Sequence, residues 1–116
     1  FIKPTLNIKK IYELSSIVIN ISIRPEGFGR TVSEALSMSR PVIAPNMGGT
    51  KEQLEKFNTK LLFNINSFKS FLKALEYAIY NRNRISKNSR SFVKESYSAD
   101  LMCKRTFEVY KNLIFR

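Results

Sequence analysis

Three short apolar runs punctuate the first half of the chain: IVINIS at 17–22, PVIAP at 41–45 and KLLFN at 60–64. Each is too short for a helix, and two are rich in β-branched residues, so they read as buried strands. Helical spacing fills the intervals. NIKKIYELS, 7–15, sets Ile8, Ile11 and Tyr12 on one side, and TVSEALSMS, 31–39, does the same with Val32, Ala35 and Leu36. TKEQLEKF, 50–57, opens another helix after the turn-like NMGG. Strands alternating with helices predict a parallel α/β sheet. Three strands are few for a doubly wound domain, so the expected fold is a partial Rossmann-like sheet with flanking helices. Ligands bind such sheets at the carboxyl ends of the strands.

From residue 67 onward only helices are expected. The stretch 68–82 puts Phe68, Phe71, Leu72, Leu75 and Ile79 on one stripe. A weaker helix over 84–97 carries Ile85, Phe92 and Val93. The last helix starts at Ser98, a suitable N-cap, with Asp100 near its positive end and Cys103, Phe107, Tyr110 and Ile114 on one face. The division is thus an α/β part over 1–66 and a helical tail over 67–116, within one partial domain of 116 residues.

Composition narrows the chemistry. The chain is 43% hydrophobic and 25% charged, with nine Phe and five Tyr for a core. No run approaches the ~20 apolar residues of a membrane span. The first residues, FIKPTLNIKK, have no apolar h-region, so no secretory leader is expected. One cysteine, Cys103, cannot form an internal disulfide, which suits a reducing cytoplasm. There is no histidine, which removes Ser-His-Asp and Cys-His catalysis and histidine metal sites. Carboxylates, lysines, arginines and backbone groups remain. The net charge of +11 attracts anions of any kind. Arg82, Arg84, Lys87, Arg90 and Lys94 cluster in sequence near Phe92 and Tyr97, but helical spacing spreads them and no nucleic-acid motif accompanies them. A specific nucleic-acid partner is not expected; an anionic membrane surface would suit the same charges.

The stretch RPEGFGRTVSEA, 24–35, carries the densest constellation. It lies between a strand and a helix, where free N–H groups and the helix dipole favour an anion. Gly27 and Gly29 permit close approach of a ligand to the backbone. Phe28 either packs beneath the loop or lies against a ligand. Glu26 and Glu34 flank the turn. Carboxylates accept hydrogen bonds without donating, so they suit vicinal hydroxyls and not phosphate. One ligand carrying both hydroxyls and phosphates would satisfy acids and amides together. Local readings compete. Thr31-x-x-Glu34 matches a capping box, which local sequence alone favours over ligand binding. Glu26 could be a solvated acid or pair with Arg24. Gly48-Gly49 could be a tight turn, Thr50-x-x-Gln53 a second capping box, and Lys51 and Glu52 surface charge.

Taken together, Glu26-Gly27-Phe28-Gly29, Glu34-Ala35, Pro41-Val42-Ile43 and Gly48-Gly49-Thr50-Lys51-Glu52 resemble the nucleotide-sugar half of the family-4 retaining glycosyltransferases of the GT-B class. The match covers 17–54, with the two acids at the family's E-x7-E spacing. The resemblance implies that Glu34 binds the nucleotide's ribose and that Glu26 contacts the donor sugar near the reacting carbon. Backbone amides of Gly27, Phe28, Gly29 and Arg30 would hold sugar and diphosphate. Gly48-Gly49 would line the cleft, with Glu52 bracing it and Thr31 in support. The implied activity is transfer of a sugar from a nucleotide diphosphate sugar to a glycan or lipid-linked acceptor with retention, without metal or other cofactor, in cell-surface polysaccharide or lipopolysaccharide synthesis. The implied location is cytoplasmic, peripheral at the inner face of the membrane.

Departures accompany the likeness. Ser39 replaces the usual Gly before the second strand; if left-handed, it costs on the order of 1 kcal/mol. Arg30 stands for the commoner Leu and could add a cation near the diphosphate. Lys51 replaces a frequent Pro, and EKFNTK stands where an Asp-Gly turn is usual. The acceptor domain and the front of the donor domain lie outside the match, so the chain alone is expected to be inactive. The alternative reading is an interaction module that completes a partner chain, or a homodimer, through an exposed sheet edge.

Overall fold

The computed structural model describes residues 2–115. Its elements run α1 (Ile8–Leu14), β1 (Val18–Ile19), α2 (Arg30–Ser37), β2 (Val42–Pro45), α3 (Gly48–Phe57), a 3-10 turn (Thr59–Leu61), β3 (Leu62–Phe63), α4 (Phe68–Tyr80), α5 (Arg82–Tyr97) and α6 (Ala99–Ile114). The three strands are parallel in the order β1-β2-β3. Val18 and Ile19 align with Val42 and Ile43; Ala44 and Pro45 align with Leu62 and Phe63. The expected α/β alternation is present throughout.

β2 is central and every residue in it is buried. It is covered on both faces, hence its unbroken apolar run. Around it pack Val32, Ala35 and Leu36 from α2, Leu54 from α3, Leu61 and Phe63 near β3, and Ala74, Ala78 and Ile85 from α4 and α5. α4 and α5 therefore complete the core of the α/β part. α6 contributes no buried residue.

Two expectations about burial are corrected. IVINIS is not a fully buried strand: the pairing spans Val18–Ile19, and Ile19, Ile21 and Ile23 are exposed. β1 is an edge strand of the sheet; Val18 packs against the core while Ile19 is left exposed. On α4 the buried contacts are Ala74 and Ala78, with Phe71 and Leu75 partly buried, while Phe68 and Ile79 are exposed. Small residues let the helix approach the sheet closely, and the bulky stripe flanks that line of contact. The expected apolar face of α6 exists, yet Phe107, Tyr110 and Ile114 are all exposed. Ser98 caps α6 as expected, its Oγ accepting from the Leu101 N–H at 3.3 Å.

The α2–β2 connection is set by a left-handed residue. Ser39 has φ 58, the N–H of Arg40 donates to Ala35 O at 2.9 Å, and the N–H of Ser39 donates to Leu36 O at 3.0 Å. This is a Schellman ending with serine where glycine fits best. Arg40 then reaches across to α1, donating from Nε to Tyr12 O and from Nη2 to Glu13 O at 2.9 and 2.8 Å. A cation on those terminal carbonyls also complements the α1 dipole. Tyr12 is the one buried residue of α1, and its hydroxyl donates to Glu34 Oε2 at 3.0 Å. Burial, then the bond to the Glu34 carboxylate and its charge, push the phenol from 10.0 up to about 12.

Two outcomes follow from these contacts. Ser39→Gly should raise unfolding free energy by about 0.5–1 kcal/mol, read as a higher urea midpoint, because the left-handed penalty disappears. The raised Tyr12 value means the folded chain holds this proton more tightly than the unfolded one. That stabilisation is intact below pH 10 and is lost as pH climbs through about 12. Urea unfolding between those values should show falling stability, with a shallower fall in Tyr12→Phe; equal slopes would remove Tyr12 as the cause.

Candidate functional site

Beyond Ile19 the chain leaves the sheet through one more ladder bond, Asn20 N–H to Ile43 O at 2.9 Å. It then turns through 21–29 into α2. Gly29 is the N-cap with φ 80, and a Cβ there would lie 2.7 Å from Thr50 Cγ2. Glycine therefore answers both to the backbone angle and to the contact with α3. Having no side chain, it gives α2 no side-chain cap, and the first turn holds no acid. The uncapped N–H groups of Arg30 and Thr31 mark the end of α2 that attracts anions.

The capping-box reading of Thr31 and Glu34 is thereby corrected. The helix begins at Arg30, so Thr31 sits one residue inside it, and the Glu34 carboxylate turns elsewhere. Glu34 Oε2 accepts from Tyr12, and Oε1 pairs with Arg30 Nη2 at 3.0 Å. The Arg30 side chain is 84% exposed, so this ion pair is weak and easily broken. Glu26 does not pair with Arg24. Its Oε1 accepts from Asn20 Nδ2 at 3.0 Å.

Gly48 and Gly49 open α3 behind an extended N-cap, Met47, and do not form a separate turn. The Gly49 N–H donates to Glu26 O at 2.7 Å. A Cβ on Gly49 would strike the carbonyls of Phe28 and Gly27, so only glycine lets the loop lie this close. Thr50 and Gln53 are no capping box. The Thr50 hydroxyl donates to Pro45 O and Met47 O at 2.9 and 2.8 Å. The buried Gln53 amide donates to Gly29 O at 3.2 Å and to Phe28 O. The loop is braced from α3 by Gly49 and Gln53. Glu52 is exposed beside Tyr97, whose phenol is raised by burial and then by the Glu52 charge. Lys51 pairs with Glu55 at 3.6 Å on the surface.

Phe28 packs on protein. Its ring meets Tyr97 edge-on, centroids 5.4 Å apart, and Tyr97 in turn meets Phe92, which meets Phe57. The loop is thus held from α3 and from α5. A cavity of about 190 Å³ opens at the carboxyl ends of β2 and β3, lined by Pro45, Asn46, Met47, Asn64 and Ile65. Among the described residues no group of three or more His, Cys, Asp or Glu could hold a metal ion, and no helix is long and apolar enough to cross a membrane.

The sequence reading missed Asn20, Tyr12 and Gln53 as parts of this arrangement. Asn20 carried a signal: it is a polar residue inside an apolar strand run, and buried polar groups need partners. Tyr12 was legible only as a helix-stripe residue, and Gln53 only as a local cap.

Comparison with known proteins gives this loop a context. The family model described as "Glycosyl transferases group 1" matches residues 1–96. The chain is similar to an O-antigen biosynthesis glycosyltransferase, WclY, of Escherichia coli, 29% identical over 90 residues, which are 78% of this chain and 25% of that protein. It is similar to a trehalose synthase of Thermococcus litoralis, 29% identical over 86 residues, 72% of this chain and 20% of that protein. In structure it resembles a glycosyltransferase of Rickettsia africae, with a TM-score of 0.81 and 29% identity over 95% of this chain and 30% of that one. The chain thus spans a quarter or less of the length of these curated relatives. The family match runs through the glycine loop, both glutamates and the α3 start that braces them, and the chain belongs to the glycosyl transferases group 1 family.

Proposed function

We propose that the chain is the donor-binding portion of a sugar transferase acting on a nucleotide diphosphate sugar. The observation that carries this reading is the arrangement of its two loop-flanking acids. Each has one oxygen held by a neutral donor, Asn20 for Glu26 and Tyr12 for Glu34. Between them lies an uncapped helix start behind Gly29. Acceptors aimed at hydroxyls and N–H groups aimed at an anion suit the two halves of one such ligand.

In this reading Glu34 takes the ribose hydroxyls and Glu26 the donor sugar. The N–H groups from Gly27 to Arg30 take the diphosphate, and Gly48-Gly49 shape the wall behind. Arg30 releases Glu34 and turns to the diphosphate when the ligand enters. Transfer proceeds with retention of configuration and calls on no metal. The O-antigen relative supports a place in surface-polysaccharide synthesis. The acceptor is bound by elements beyond this chain, so the chain alone binds donor weakly, at a Kd on the order of 1 mM, and transfers nothing.

A second role rests on the exposed Ile19, Ile21 and Ile23 beside the one-sided strand β1. That edge accepts a further parallel strand from the remainder of the enzyme.

Titration with UDP-glucose, GDP-mannose and ADP-glucose should shift amide resonances of 26–34 and 48–52 with at least one of the three. Glu34→Gln keeps an acceptor for Tyr12 but removes the charge. It should weaken that binding about tenfold or more, since a hydrogen bond to a charged group contributes about 1.5–3 kcal/mol. Its urea midpoint should stay close to the parent's. A lower midpoint with unchanged binding would make Glu34 a structural residue.

A further inference from the structure

Asn20 is 6% exposed and lies inside an otherwise apolar run. Both ends of its amide are used. Oδ1 accepts from the Ser22 N–H at 3.0 Å, and Nδ2 donates to Glu26 Oε1 at 3.0 Å. The first bond matters for the second. Because a backbone N–H can only donate, it fixes which end of the amide is oxygen, and so presents the NH2 group to Glu26. The backbone of Asn20 is tethered to the sheet, its main-chain N–H donating to Ile43 O.

Glu26 is therefore held twice. Its carbonyl is bound by the Gly49 N–H at 2.7 Å, and its carboxylate by Asn20. Without the second bond the side chain is a flexible arm on a half-exposed loop residue. With it, Oε1 is occupied and Oε2 is the oxygen free to meet a ligand. The donor is neutral, so it orients the carboxylate without cancelling its charge.

We infer that Asn20 is a positioning residue for sugar recognition: it aims the Glu26 carboxylate at the glycosyl part of the ligand and thereby sets the preference for a sugar nucleotide over the bare nucleotide. This rests on the reading of Glu26 as the donor-sugar contact. Asn20 itself touches no ligand.

Two substitutions separate its bonds. Asn20→Leu removes both at similar volume. Asn20→Asp keeps an acceptor for the Ser22 N–H, preserving the turn, while replacing the donor to Glu26 with a repelling oxygen. The test measures binding of UDP-glucose and UDP, with GDP-mannose and GDP as the second pair, from NMR shift titrations of parent and variants. Parent should favour the sugar nucleotide in at least one pair. Both variants should weaken sugar-nucleotide binding about five- to tenfold and leave the nucleotide diphosphate within twofold, erasing the preference. Equal weakening of both ligands would reduce Asn20 to a structural role, and unchanged binding of both would remove it altogether; either overturns the inference.

A control separates this from failure of the donor-sugar reading. Glu26→Ala should move the Asn20 side-chain NH2 resonances in the free chain, whatever the ligand. If they move but the parent shows no preference in either pair, the role of Glu26 is what fails, and the inferred role of Asn20 falls with it. If they do not move, the Asn20–Glu26 bond is absent in solution and the inference fails on its own.

Discussion

The contact on which the site depends joins the glycine loop to the start of α3. The Gly49 N–H binds Glu26 O at 2.7 Å, and the Gln53 amide donates to the carbonyls of Phe28 and Gly29. These bonds bridge more than twenty residues of sequence and tie the loop after β1 to the helix after β2. They come with a cost, because Gln53 Oε1 is buried without a partner, worth about 1–3 kcal/mol. In return the loop that carries Glu26 has a defined path over a helix N-terminus. Everything farther along takes its place from that path: the N-cap at Gly29, the register of α2, and hence the position of Glu34.

The electrostatics follow the same logic. In a chain of net charge +11, two acids at an anion-attracting helix start would be easily silenced by cations. Instead Asn20 and Tyr12 supply neutral donors, and among the described residues the one cation paired with either acid, Arg30, engages through an exposed pair. Each acid keeps a usable lone pair. Tyr12 adds a second function, since the bond that orients Glu34 also ties α1 to α2, while Arg40 secures the same C-terminal end of α1 through the carbonyls of Tyr12 and Glu13. The folding contacts and the site contacts are partly the same bonds.

Much of the fold was legible in the residues, for a physical reason. Strands covered on both faces read as short apolar runs, and β2 is the clearest instance. The left-handed Ser39 and the Ser98 cap were legible because each depends on backbone geometry a few residues long. The misreadings came from spacing that imitates a local motif. Thr31 and Glu34, and Thr50 and Gln53, stand at capping-box separation, but each helix starts earlier, where glycines and a long-range contact place it. Gln53 finds its partners 24 and 25 residues away, beyond any local pattern. On α4 the largest apolar residues mark the amphipathic stripe, whereas Ala74 and Ala78 are the residues buried. The exposure of β1 and α6 depends on what lies beside them, which local spacing does not record.

The most direct measurement of the account is donor binding by Gly49→Ala, read together with its circular dichroism. The added methyl meets the Phe28 and Gly27 carbonyls and pushes the loop from α3, while the core around β2 is untouched. The expected result is a folded chain with parent-like helix content in which binding of whichever sugar nucleotide the parent accepts falls at least tenfold. A folded Gly49→Ala chain that binds that ligand as the parent does would show that the site does not depend on this contact.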